Sequence, residues 1–161
     1  MSCVSGSTPP TVVVRFADSE GNPTRPLTVT KVIRTDSEWR QILAPEQFRV
    51  TRMRGTEPPF CGNLHPGAEP GIYACVGCGL PLFSSAARFE SGTGWPSFFA
   101  PFASENIVEH DDSSHGMVRT ELLCVLCDAH LGHVFSDGPP PTGLRYCLNS
   151  AALVFVPGQT G

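Results

Sequence analysis

The sequence predicts a mainly β domain with short helices near its N-terminus and a structural metal site built by four cysteines. Three observations lead there. Gly and Pro number 16 each in a chain of 161 residues, below the share of low-complexity chains and suited to many turns between short strands. Short runs rich in Val, Ile, Thr and aromatic residues recur between those turns, which is how strands read. Two Cys-x-x-Cys pairs, Cys75/Cys78 and Cys124/Cys127, supply four soft ligands. The length fits one domain able to bury a core without disulfides.

Residues 1–10 are expected to be disordered. They have neither the charged start nor the apolar run of a signal peptide, and no 18-residue apolar segment occurs in the chain, so a soluble cytoplasmic protein is expected. Thr11–Phe16 and Leu27–Ile33 read as a β-hairpin joined through the turn-rich Asp18–Pro23. Thr35-Asp36-Ser37-Glu38 has capping-box spacing, and Trp39, Ile42 and Leu43 follow as an apolar stripe at i, i+3, i+4. Pro45 opens a second short helix through Arg49. Arg54–Gly62 is too rich in Pro and Gly for regular structure and reads as a loop; its thiol, Cys61, belongs to no Cys-x-x-Cys pair.

Each knuckle follows a β-like run, Ile72–Ala74 before the first and Met117–Leu123 before the second. Four thiolates from two such turns can close a tetrahedron around Zn²⁺ and leave no open position for chemistry, so the metal is structural. Gly79 and Asp128, each just after the second Cys of its pair, suit the backbone angles that a knuckle needs. The 45 residues between Cys78 and Cys124 exceed the usual insert of about 15–20. Loop-closure entropy grows only logarithmically, so the excess costs about 0.8 kcal/mol against a metal-site free energy of about 10 kcal/mol or more. The competing reading, two dithiol redox pairs, lacks the βαβ pattern that such motifs accompany.

Three further stretches carry residues suited to a site. Gly92 and Gly94 flank a turn leading into Trp95-Pro96, where an aromatic on a rigid loop can wall an apolar pocket or simply fill the core. His130 and His133 follow the second knuckle closely and suit proton donation or hydrogen bonding, with four thiolates already available for metal. Leu144–Phe155 reads as one strand. At its two-residue period Arg145, Cys147 and Asn149 face one way while Tyr146, Leu148, Ser150 and Ala152 face the other. A guanidinium beside a thiol favours the thiolate, so Cys147 is the candidate nucleophile, expected to have a lowered pKa. A small apolar residue in a β core is the alternative.

The net charge of −4 gives no reason to expect nucleic acid or anionic membrane as a partner. Seven cysteines in a reducing compartment point to metal binding or catalysis.

In combination these stretches resemble the type B methionine-R-sulfoxide reductases, in their zinc-containing form. The resemblance runs from about Thr35 to Val156. It rests on Arg54–Phe60, Gly94-Trp95-Pro96-Ser97-Phe98, His115–Glu121, His130–Phe135 and Gly143–Ser150, in order and together with both knuckles. It implies two antiparallel β-sheets in a compact barrel-like or tent-like domain with short N-terminal helices and a zinc away from the active site. Residues 35–161 would be the catalytic domain and 1–34 an N-terminal extension. The activity implied is thiol-dependent reduction of the R epimer of methionine sulfoxide, mainly within oxidised proteins and as their repair, by a monomer recycled by thioredoxin.

Position by position, Cys147 matches the family's nucleophile and Trp95 the residue against which the substrate methyl packs. His130, His133 and Asn149 match polar groups around the sulfoxide oxygen, and Arg145 the cation beside the thiol. Phe135 and His115, within matching motifs, are expected to contact substrate. One departure stands out: Thr93 occupies the position where many members carry a resolving cysteine. Cys3 and Cys61 remain to condense with a Cys147 sulfenic acid, and Cys61, on the Arg54–Gly62 loop that carries the first matching stretch, is the expected partner. A zinc-stabilised binding module using the Trp95 cavity without turnover is the alternative from a different class.

Overall fold

The computed structural model describes residues 10–56, 70–113 and 119–157. The chain opens on an antiparallel hairpin of β1 (Thr11–Val14) and β2 (Leu27–Thr30), with Thr11 opposite Thr30. Asp18 sets its turn: its carboxylate accepts from the amides of Glu20 and Asn22, and its carbonyl from Gly21, whose φ of +82° suits glycine. Both strands are shorter than the sequence suggested. The amides of Arg15 and Phe16 go to the side chains of Asn106 and Thr24, and the Val32 amide goes to the Leu126 carbonyl, so the ladder ends early.

The hairpin is not a loose appendage. Val14 is fully buried in the core, and the fully buried Asn106 returns a bond from Nδ2 to the Arg15 carbonyl. Lys31 Nζ lies 2.6 Å from Asp128 Oδ1, directly beside the second knuckle.

Helix α1 (Asp36–Ile42) starts at the expected capping box: Thr35 Oγ1 accepts from the Glu38 amide, and Glu38 Oε1 accepts from the Thr35 amide at 2.7 Å. Trp39 and Leu43 are buried but Ile42 is exposed, contrary to the expected stripe. The helix stops at Ile42, and Leu43 takes extended angles, so the exit of the chain rather than helical spacing turns Leu43 inward. Helix α2 (Pro45–Arg52) runs one turn past Arg49. Its last turn is tied down by Arg52 Nη1, which donates to the Cys127 carbonyl at 2.8 Å.

Two antiparallel sheets follow. The smaller is ordered β11-β3-β4, from β3 (Gly71–Cys75), β4 (Pro81–Ser84) and β11 (Leu153–Pro157). The larger is ordered β5-β6-β10-β9-β8-β7, from β5 (Arg88–Phe89), β6 (Ser97–Phe98), β7 (Ile107–Asp112), β8 (Arg119–Cys124), β9 (His130–Phe135) and β10 (Arg145–Leu148). Aromatic rings join the layers: Phe83 of the small sheet stacks on Phe98 of the large one at 4.6 Å, and Tyr73 meets Phe98 edge-on at 5.1 Å.

Leu144–Phe155 is two strands rather than one. After β10 a 3-10 turn at Ser150–Ala152 carries the chain into β11 of the other sheet. The Ala152 amide bonds back to the Asn149 carbonyl, and the Ala152 carbonyl accepts from Val76, so three small residues make the crossover. Among the described residues no helix is long and apolar enough to cross a membrane.

Because Val14 belongs to the same core as both sheets, Val14→Ala should lower the unfolding free energy of the whole protein by about 2 kcal/mol. Urea unfolding monitored at tryptophan measures this, and an unchanged midpoint would mean that the hairpin folds apart from the rest.

Candidate active site

The large sheet lines up one polar row. His110 pairs with Glu121, Glu121 with His133, His133 with Cys147, and Cys147 with Ser97, across five strands. Directly opposed residues share a face. One step along the same face lie the pairs Asp112 with Arg119 and Phe135 with Arg145. The alternate residues Tyr146 and Leu148 are buried in the core. The parity read from the sequence for residues 145–149 therefore holds, although the strand ends sooner than expected. β9 and β10 approach closely because residue 132 is glycine: a Cβ there would collide with the Cys147 carbonyl.

Above Cys147 lies a cavity of about 230 Å³. Trp95 and Phe135 wall it with apolar surface, while Thr56, Thr93, Arg119, His133, Arg145 and Asn149 add polar groups. Gly92 and Gly94, with φ of +80° and +88°, turn the chain on either side of Thr93 and deliver Trp95 to the rim. Asn149 is buried and anchored, its amide and Nδ2 both donating to the Leu131 carbonyl. Arg145 lies over the Phe135 ring at 4.5 Å and binds Asp137 through two bonds of 2.9 and 3.2 Å. His133 Nε2 is 3.0 Å from Asp112 Oδ2, which fixes the ring plane.

His130 lies beside His133, not in the cavity lining. Residues three apart on a regular strand face opposite ways, but Leu131 is an extra residue against the Leu122/Leu123 step of β8. This bulge brings the two imidazoles to 5.6 Å between centroids. His130 is buried, with Nδ1 2.7 Å from Glu121 Oε2 and Nε2 unpartnered among the described residues. Burial lowers its pKa, against the pull of Glu121. The Glu121 carboxylate is itself buried and receives Arg54 on its other oxygen. Cys3, Cys61 and His115 lie outside the described residues.

The structure corrects one electrostatic expectation. Burial pushes the Cys147 thiol up, and the Arg145 charge with hydrogen bonds from Thr93 and Arg145 only partly offsets it. Burial is the main cause; the Asp137 carboxylate, which engages the guanidinium, adds a smaller opposition to ionisation of the thiol. Sequence reasoning assigned no role to Asp112, Glu121, Asp137 or the Thr93 hydroxyl. Same-face parity on β8 marks Glu121, but the partners of the others come from separate strands and loops.

The four knuckle cysteines converge as expected. Their sulfurs all lie within 4.8 Å of one another, with Cys75 to Cys127 at 3.6 Å and Cys78 to Cys124 at 3.5 Å. Metal–sulfur bonds of about 2.3 Å in a tetrahedron give edges of about 3.8 Å, so the donor set fits one ion. The two turns are built alike: the Gly79 and Asp128 amides bond to the Cys75 and Cys124 carbonyls at 2.8 Å, with φ of +80° and +65°. Cys75 ends a strand of the small sheet and Cys124 one of the large, so the metal site bridges the two.

The fold is thus a β domain with a four-thiol cluster suited to a metal and, apart from it, a thiol set in an aromatic-walled pocket. The SelR domain family matches residues 43–157. A peptide methionine sulfoxide reductase MsrB from Hahella chejuensis is 61% identical over 125 residues, covering 78% of this chain and 90% of the relative. MsrB proteins of Pseudomonas fluorescens and Pseudomonas putida W619 are 57% and 56% identical over 127 residues, covering 79% of this chain and 98% and 96% of their own. The chain belongs to this family, the type B methionine sulfoxide reductases.

With its folded pKa raised, Cys147 carries less thiolate at neutral pH than a free cysteine, and the deficit closes only as pH rises through the folded value. Its iodoacetamide alkylation profile should therefore have a midpoint above the ordinary thiol value of about 8.5. Arg145→Met should move that midpoint further up, and Asp137→Asn down. A parent midpoint well below the ordinary value would contradict the dominance of burial.

Proposed function

We propose that the protein reduces the R epimer of methionine sulfoxide in oxidised proteins to methionine, with Cys147 as nucleophile. The observation that carries this reading is the Cys147 thiol facing a cavity with Trp95 and Phe135 on its apolar wall and His133 and Asn149 among its polar lining. A thioether methyl suits the aromatic wall, and a sulfoxide oxygen needs the donors. The Cys147 thiolate attacks the sulfoxide sulfur and forms an S–S bond as the oxygen takes up a proton; the hydroxyl then passes from the methionine sulfur to the Cys147 sulfur as the S–O and S–S bonds both break, leaving a Cys147 sulfenic acid and methionine. Oxide is a poor leaving group unless protonated, and an imidazole at hydrogen-bonding distance supplies the proton. His133, oriented by Asp112, lines the cavity and is the imidazole placed for this step, with His130, held by Glu121, beside it; Arg145 and Asn149 stabilise charge moving onto oxygen.

The metal bound by Cys75, Cys78, Cys124 and Cys127 is zinc in this reading. Four thiolates leave it no open position, so it would supply stability and no step of the reaction. Resetting falls to Cys61: its thiol condenses with the Cys147 sulfenic acid, releasing water, and thioredoxin reduces the resulting disulfide. Residues 1–34 are an extension to the catalytic domain of residues 35–161. A pure binding module would have no use for a thiol, two imidazoles and a guanidinium on one face.

Epimer-resolved loss of methionine sulfoxide with dithiothreitol tests the reading. Only the R form should be consumed, and Cys147→Ser should release methionine more than about a thousandfold more slowly. Equal consumption of both epimers, or stoichiometric release by the serine variant, would overturn it.

Cys61→Ser should release one methionine per chain and stop. It should lose thioredoxin-supported turnover and leave a Cys147 sulfenic acid that dimedone traps. Undiminished cycling with thioredoxin would instead assign resetting to Cys3 or to direct reduction.

A further inference from the structure

Thr93 stands where many relatives are expected to carry a second thiol, and it lines the same cavity as Cys147. It is also the outer member of a chain of three hydroxyls. Thr93 Oγ1 is 2.8 Å from Ser91 Oγ, and Ser91 Oγ is 2.7 Å from Ser97 Oγ. The Ser97 hydroxyl donates to the Trp95 carbonyl at 3.1 Å. Two amides complete the set: Thr93 N–H donates to Ser91 Oγ and Trp95 N–H to Thr93 Oγ1, both at 3.3 Å. Ser97 is buried at 1% exposure and is the cross-strand partner of Cys147, so the chain starts from the strand pair that holds the thiol.

Each hydroxyl has one proton to give. A carbonyl can only accept, so the Ser97 proton goes to Trp95 O. The Ser97 oxygen is then free to accept, and takes the Ser91 proton. The Thr93 proton remains, with Ser91 Oγ and the Cys147 sulfur as its two possible acceptors. When Cys147 is a thiol, its S–H can donate to Thr93 while Thr93 donates to Ser91. When Cys147 is a thiolate, one rotation of the Thr93 hydroxyl sends its proton to sulfur, and every hydroxyl proton in the chain still has an acceptor.

We propose that Thr93 is a hydrogen-bond donor to the Cys147 thiolate, held at the sulfur by Ser91, Ser97 and the Trp95 amide. The residue in the usual resolving position thus serves the nucleophile before the reaction rather than the disulfide after it. A donor to the charged form favours that form, and here it opposes the burial that disfavours it. The inference rests on Cys147 being the nucleophile of the proposed function.

The test is the pH profile of Cys147 alkylation by iodoacetamide, in full-length protein with Cys3 and Cys61 replaced by serine. Thr93→Val keeps the shape and removes the donor, and should raise the midpoint by about one unit, which lowers the neutral-pH rate about tenfold. Thr93→Ser restores the donor and should return the midpoint to the parent value. Circular dichroism of each variant verifies that the fold is intact. A Thr93→Val midpoint equal to the parent's, or a Thr93→Ser midpoint raised as far as that of Thr93→Val, would overturn the proposal. The measurement needs no turnover: a shifted midpoint in a protein that fails to reduce sulfoxide removes the proposed function alone, and an unshifted midpoint in an active one removes this inference alone.

Discussion

The register between β9 and β10 is the constraint on which the face that carries Cys147 depends. Pairing His133 with Cys147 puts an imidazole and a thiol on one side of the large sheet, and the same pairing places Tyr146 and Leu148 in the core. A slip of one residue would exchange the two sets. Gly132 enforces the register sterically, since no larger residue fits against the Cys147 carbonyl. The far end of β9 is fixed as well: Cys124 and Cys127 lead into it, and the Asn149 side chain and amide both reach back to Leu131. The four-cysteine cluster thus bears on the site at a distance, because its second turn leads into the start of β9.

Two opposing influences meet at Cys147. The cavity that would shelter a thioether also strips water from the sulfur, and burial outweighs a guanidinium that is already committed to Asp137. A lone cation beside a cysteine in a sequence predicts a thiolate only if that cation has no other partner. Burial reverses the expectation and Asp137 adds to it while fixing the position of Arg145, whose guanidinium also lies over Phe135 and so helps to shape the cavity wall. Orientation is gained here at the cost of acidity.

Much of this was legible in the residues. The capping box at Thr35 to Glu38, the hairpin, both knuckles and the alternation of Arg145, Cys147 and Asn149 rest on local rules, in which a few neighbouring side chains decide the backbone. What was illegible depended on partners far along the chain. The Leu131 bulge exists only against β8, and without it His130 and His133 would face opposite ways. The break after Asn149 follows from β11 pairing with β3, some 80 residues earlier. Ile42 faces solvent because the chain leaves the helix there. Glu121 carries an ordinary surface residue's letter, yet it is buried between Arg54 and His130; parity on its own strand marks its face, but the partners that bury it come from elsewhere in the chain.

The N-terminal hairpin shows how an addition can become part of the core. The alignments span 90 to 98% of the relatives but only 78 to 79% of this chain, so about a fifth of it has no counterpart in them. The family match begins at residue 43, after the hairpin. Yet Val14 is as buried as any residue of the two sheets, Asn106 is clamped between Arg15 and Pro81, and Lys31 and Val32 bond to the turn of the second knuckle. Those contacts cover Leu126 and Asp128, within and just after the metal-binding turn, whose backbone sets the start of β9. The hairpin therefore supports the face that carries Cys147 through the same element as the four-cysteine cluster, from the opposite end of the sequence, and none of its described residues lines the thiol pocket.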